Sequence, residues 1–131
     1  MAEGTPKSAG SKGKLSPNKE LVLGYYASTG TEYGRLLAED VVLVDWDPGV
    51  PAGGAVTSGK DAYLRNRGER KFRSEIVRMT EEGSVVIVEG FARGSTKTGR
   101  SWTVHFVDAY DISNGKIQRA STHGVEVKEP A

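Results

Sequence analysis

The chain has no cysteine and only two histidines, His105 and His123. A disulfide framework and a thiolate metal site are therefore excluded, and a histidine-rich metal centre has too few ligands. No stretch approaches the ~18 consecutive apolar residues of a membrane span. The N-terminus carries lysines but no apolar h-region, so it does not read as a secretory signal. Charge of one sign is also lacking, the formal net charge being +1. Lys7, Lys12 and Lys14 against Glu3 put the positive excess in the first seventeen residues, leaving a nearly neutral remainder. That remainder lacks the basic footprint of a nucleic-acid binder. These absences favour a soluble cytoplasmic protein with no nucleic-acid or membrane partner, no metal and no cofactor.

The 131 residues suit a single folded domain. Residues 1–15, MAEGTPKSAGSKGKL, hold almost nothing to bury, cannot repay the entropy of ordering, and read as a disordered basic tail. The domain is placed at 16–131. Ser16-Pro17 opens a helix, with Leu21/Tyr25 and Val22/Tyr26 as i,i+4 pairs, and Thr29-Gly30 ends it. Thr31 caps a second short helix that buries Tyr33, Leu36 and Leu37. Residues 41–46, VVLVDW, read as a strand buried on both faces. Residues 47–58 read as a long loop, a candidate lid. A third helix runs from Gly59 to Arg67 with Ala62, Tyr63 and Asn66 turned inward.

Four strand patterns follow, at 71–79, 84–93, 101–111 and 116–125, the last two joined by Asn114-Gly115, a strong two-residue hairpin signal. Helices first and an antiparallel meander after give an α+β fold. Alternation along 102–110 sets Trp102, Val104, Phe106, Asp108 and Tyr110 on one face, an acid among large apolar side chains. Such a carboxyl loses solvation, so its pKa rises and its neutral form can donate a hydrogen bond to an enolate-like oxygen. Asp45, sharing a strand face with Leu43, can reach a ligand and abstract a proton, or can belong to turn chemistry before Pro48-Gly49. Tyr25 or Tyr26 can lay a hydroxyl across the same cavity. Glu89 is either an extra pocket acid or a partnered structural carboxylate. The basic stretch Arg65, Arg67, Arg70, Lys71 and Arg73 reads first as a solvated surface, with an anionic ligand as the minority reading.

The element order resembles the cone-shaped fold of nuclear transport factor 2-like proteins, a curved antiparallel sheet with N-terminal helices on its concave face. The phrases LLAEDVVLVD (36–45), Gly59-Lys60-Asp61-Ala62 and VDAYDISNGKI (107–117) resemble the family's helix-to-strand entry, third-helix opening and strand-turn-strand. Within the superfamily the chain looks most like SnoaL-like and ketosteroid-isomerase-like proteins. That resemblance implies Asp45 as base, Asp108 as hydrogen-bond-donating acid and Tyr25 or Tyr26 near the oxyanion tyrosine, a division of roles taken from ketosteroid isomerase. It further implies a pocket lined by Leu43, Trp102, Val104, Phe106 and Tyr110, a small apolar organic ligand, and a homodimer formed through the face of Thr103, His105, Val107 and Ala109. An epoxide-hydrolase-like triad is absent, because Glu89, Phe91 and Thr122 occupy its positions. A dehydratase-like pair of inward histidines is absent too, because His105 and His123 face away. The two readings are an acid/base enzyme of isomerase or polyketide-cyclase type, and a non-catalytic binding or dimerisation module.

Overall fold

The structure, a computed structural model, describes residues 15–46, 54–69 and 71–128. The tail up to residue 14, most of the candidate lid and Arg70 lie outside the described residues. Helix α1 spans Pro17–Ala27, with Ser16 Oγ accepting from the Lys19 amide at its start. A single 3-10 turn, Glu32–Leu36, leads into β1, Leu37–Asp45. Then come β2 (Ala55–Ser58), α2 (Lys60–Arg67), β3 (Arg73–Glu82), β4 (Val85–Ser95), β5 (Ser101–Ser113) and β6 (Lys116–Glu126). The α+β class and the C-terminal meander match the expectation from sequence.

Three local readings need correction. The second helix is only the 3-10 turn, and Leu37 already belongs to β1, where it pairs with Ile117. Residues 37–40 are good helix formers by composition, but pairing with β6 overrides that weak preference. The 47–58 segment is not all loop, since Ala55–Ser58 forms an edge strand against Val42–Asp45. The sheet is also mixed rather than antiparallel throughout. Its order is β2-β1-β6-β5-β4-β3, with β1 parallel to β6. A parallel pair joins segments far apart in sequence, so no turn signal announces it.

The Asn114-Gly115 turn has φ of 52° and 72°, the left-handed pair that a two-residue hairpin demands. Helix α1 and the curved sheet enclose a core of Val22, Tyr25, Tyr33, Leu43, Tyr63, Val86, Val88, Tyr110 and Ile117, among others. The strands β4 and β5 alternate cleanly: Val86, Val88, Phe106, Asp108 and Tyr110 are buried, while Ile87 and Val107 stay exposed on the outer face. Asn66, expected inward, is exposed at the residue level although it borders the cavity described below. Among the described residues, no helix is long and apolar enough to cross a membrane.

Candidate functional site

A cavity of about 270 Å³ opens between α1, α2 and the concave face of the sheet. It lies at the lower edge of the ~300–1,000 Å³ usual for small-molecule pockets. All five pocket residues read from the sequence, Leu43, Trp102, Val104, Phe106 and Tyr110, line it, as do Asp45, Asp108, Tyr25 and Tyr26. Two glycines on β4 make room for the aromatic rings of its wall. A Cβ on Gly94 would lie 2.5 Å from the Trp102 ring, and one on Gly90 would lie 2.5 Å from the Glu75 carbonyl and 2.9 Å from Phe106 Cζ. Their missing side chains let the Trp102 and Phe106 rings fold down onto the neighbouring strand. The Tyr26 ring stacks over Phe106 at 5.6 Å, and Phe72 meets Trp102 edge-on at 5.9 Å.

Strand pairing sets the two acids in one row. Asp45 is opposite Thr122 on β6, and Thr122 is opposite Asp108 on β5. Two strand spacings put their backbones roughly 10 Å apart. Asp108 is buried and ringed by hydroxyls. Tyr26 Oη donates to its Oδ2 at 2.6 Å, Tyr110 Oη reaches the same oxygen at 3.1 Å, and Thr122 Oγ1 donates to Oδ1. Tyr26 and Tyr110 are also 2.6 Å apart, oxygen to oxygen. Burial raises the Asp108 pKa above the usual carboxylate value, outweighing the opposing hydrogen bonds from Thr122, Tyr26 and Tyr110 and the charge of Arg67. Burial, followed by the charge of Asp108, holds the Tyr26 and Tyr110 phenols well above their ordinary pKa, so both keep their protons at neutral pH.

Asp45 has a different partner. Its Oδ1 accepts from Arg67 Nη2 at 2.9 Å, the arginine projecting from the last turn of α2. Arg67 belongs to the stretch that reads from sequence as solvated surface; it is exposed at the residue level, and it also borders the cavity and reaches Asp45. The signal was available: Tyr63, read as inward, lies one helical turn before it on the same stripe. Tyr25 does not reach Asp108 by a direct hydrogen bond; its hydroxyl pairs with that of Tyr63 at 2.6 Å. The register of α1 on the sheet thus brings Tyr26, rather than Tyr25, to the acid.

Glu89 is not a pocket acid. It sits on the outer face, where His105 Nε2 lies 2.9 Å from one oxygen and Arg78 bonds the other at 2.9 and 3.2 Å. Those hydrogen bonds, from His105 first, pull its pKa below the usual value. His105 is thereby on the face opposite Asp108, and His123 stacks on Trp46 at 5.7 Å. Among the described residues no cluster of histidine and carboxylate side chains could hold a metal ion.

The sequence model of the SnoaL-like domain matches residues 27–120. No curated protein matches. Among solved structures, the chain is similar to a candidate SnoaL-like polyketide cyclase from Jannaschia sp. CCS1, with TM-score 0.71 and 13% identity over 87% of this chain and 91% of that one. It is also similar to a candidate ketosteroid isomerase from Kribbella flavida DSM 17836, with TM-score 0.63 and 20% identity over 88% and 82%. TerC co-crystallised with polyporic acid gives TM-score 0.65 and 22% identity over 82% and 90%. At these identities the likeness is one of fold.

Proposed function

Because this chain belongs to the SnoaL-like family of the nuclear transport factor 2-like superfamily, we propose that it is a small-molecule enzyme of general acid/base type, isomerase or polyketide-cyclase-like, acting on an apolar carbonyl compound in the cavity. The observation that carries this reading is Asp108, a carboxyl of raised pKa in an aromatic wall, hydrogen-bonded to phenols that keep their protons. The proton-carrying role goes to Asp108 rather than Asp45, because Asp45 is engaged by Arg67.

The Asp108 carboxylate accepts a proton from the carbon beside the carbonyl; the C–H electron pair becomes a C=C bond and the carbonyl π pair moves onto oxygen, giving an enolate. Once protonated, Asp108 can turn its O–H toward Tyr26, releasing the Tyr26 proton to bond the enolate oxygen. Returning the Asp108 proton to a different carbon isomerises the substrate. If instead the enolate carbon attacks a second carbonyl, a ring closes and the proton goes to the new alkoxide. Neither route needs a metal or an organic cofactor. TerC, of the same fold, was crystallised with polyporic acid, and the aromatic lining of Tyr26, Phe72, Trp102 and Phe106 suits a small organic ligand here.

The test is hydrogen exchange at carbon. With 2-tetralone in D2O, the protein should speed loss of the C1 proton signals above the buffer rate. A protein that binds the ketone and leaves exchange at the buffer rate is a binding module, the competing reading.

The same proposal includes a homodimer. The outer face carries Thr103, His105, Ala109 and the exposed apolar side chains Ile87, Val107 and Val125, the last 62% accessible. Single exposed valines are ordinary, but a run across three adjacent strands is not. Sedimentation velocity at micromolar concentration should show a dimer, and Val107→Asp should shift it to monomer. A wild-type protein that sediments only as monomer contradicts the assembly.

A further inference from the structure

We propose that Arg67 forms an oxyanion subsite in the cavity, selecting planar aromatic compounds that carry an acidic oxygen. This deepens the acid/base reading of Asp108 and rests on the same cavity being the ligand site.

Arg67 is the one cation among the described residues lining the cavity. Its side chain remains 35% accessible, whereas that of Asp45 is 13% accessible. A guanidinium presents five N–H donors in a planar fork. Among the described residues Asp45 takes one contact, from Nη2. The tyrosine and threonine hydroxyls are engaged, Tyr25 with Tyr63, and Tyr26, Tyr110 and Thr122 around Asp108; the Ser74 hydroxyl, also on the cavity wall, has no partner among the described residues but carries no charge. Arg67 is therefore the strong donor with capacity left for a ligand oxygen, and its fork matches a carboxylate or a delocalised enolate.

The surroundings tolerate the extra negative charge. Asp45 offsets only part of the guanidinium's donor capacity, and the Asp108 carboxyl is screened from the cavity by the hydroxyls of Tyr26, Tyr110 and Thr122 that bond it. The remaining wall, with Phe72, Trp102 and Phe106, supplies aromatic faces for a flat ring system. The competing account is a purely structural ion pair that ties the end of α2 to β1.

Two probes of one shape separate these accounts: 2-naphthoate, which carries a carboxylate, and neutral 2-naphthamide. Binding is read from tryptophan fluorescence, since Trp102 lines the cavity. The wild-type protein should bind 2-naphthoate about tenfold tighter, the effect of one charge-assisted hydrogen bond. Arg67→Met should weaken 2-naphthoate by a similar factor and leave 2-naphthamide unchanged. Asp45→Asn frees the guanidinium, so it should tighten 2-naphthoate; a structural pair predicts no change or a loss. That second variant decides the matter if Arg67→Met fails to fold. Equal affinities in the wild type, or a carboxylate preference that survives in Arg67→Met, overturn the subsite while leaving the acid/base reading in place. If neither probe binds at millimolar concentration, the subsite and the cavity reading fall together.

Discussion

Replacing Asp108 with asparagine should lower the rate of exchange at carbon by about 10²–10⁴, the usual contribution of a positioned acid/base group. An amide cannot take up the substrate proton, although the asparagine side chain fills nearly the same space. The fold should survive, and its pH dependence has a definite sign. Because the folded pKa of Asp108 is raised, the folded chain binds this proton more tightly than the unfolded chain does. The stabilisation from that proton is complete below the unfolded value of ~3.9 and is lost as pH rises through the folded value. The amide has no proton to lose, so thermal melts should show Asp108→Asn gaining on the wild type between pH 4 and pH 7. A variant that unfolds at neutral pH would instead mark Asp108 as an ionised structural partner.

The largest expected loss of stability comes from Tyr63. Its side chain has no accessible surface, its ring packs 6.2 Å from that of Tyr33, and its hydroxyl meets Tyr25. Tyr63→Ala removes a whole aromatic ring from a core that cannot fully collapse, which costs about 3–5 kcal/mol. That is a large share of the ~5–15 kcal/mol that holds a small protein folded. Tyr63→Phe keeps the ring and deprives Tyr25 of one hydroxyl partner, so its cost should be near 1 kcal/mol. Urea unfolding of the two variants measures both effects. Equal losses would mean that the hydroxyl pair, rather than ring packing, dominates at this position.

The face of β5 was readable because strand alternation is local: Trp102 through Tyr110 fall on one side whatever their partners do. The desolvation of Asp108 follows from that face alone. Its hydroxyl partners do not, because they come from other elements. Tyr26 was visible as one of two candidates on α1, and only the packing of the helix on the sheet brings it, not Tyr25, to the acid. Thr122 depends on an irregularity. The Asn114-Gly115 turn, carried straight along the hairpin, would set Asp108 opposite Ser121. A register shift beyond Asp111 makes the partner Thr122 instead, and nothing in the residues around Gln118 announces that bulge.

Asp45 illustrates the opposite limit. Its position at the end of a buried strand was legible, but its chemistry depends on Arg67, a residue that composition assigns to the surface. The parallel pairing of β1 with β6, which places Asp45 in the row of Thr122 and Asp108, joins segments far apart in the chain. Local pattern carries no information over that range, whereas the likeness to a known fold does.

The central claim, that Asp108 is a buried carboxyl poised to gain and lose a proton, is tested most directly by its own titration. The 13C shift of the Asp108 carboxyl, followed by NMR against pH and identified by its absence in Asp108→Asn, should show a midpoint above the ordinary aspartate value of ~3.9. A midpoint at or below that value would contradict the account, making Asp108 a permanently ionised anchor for Thr122, Tyr26 and Tyr110.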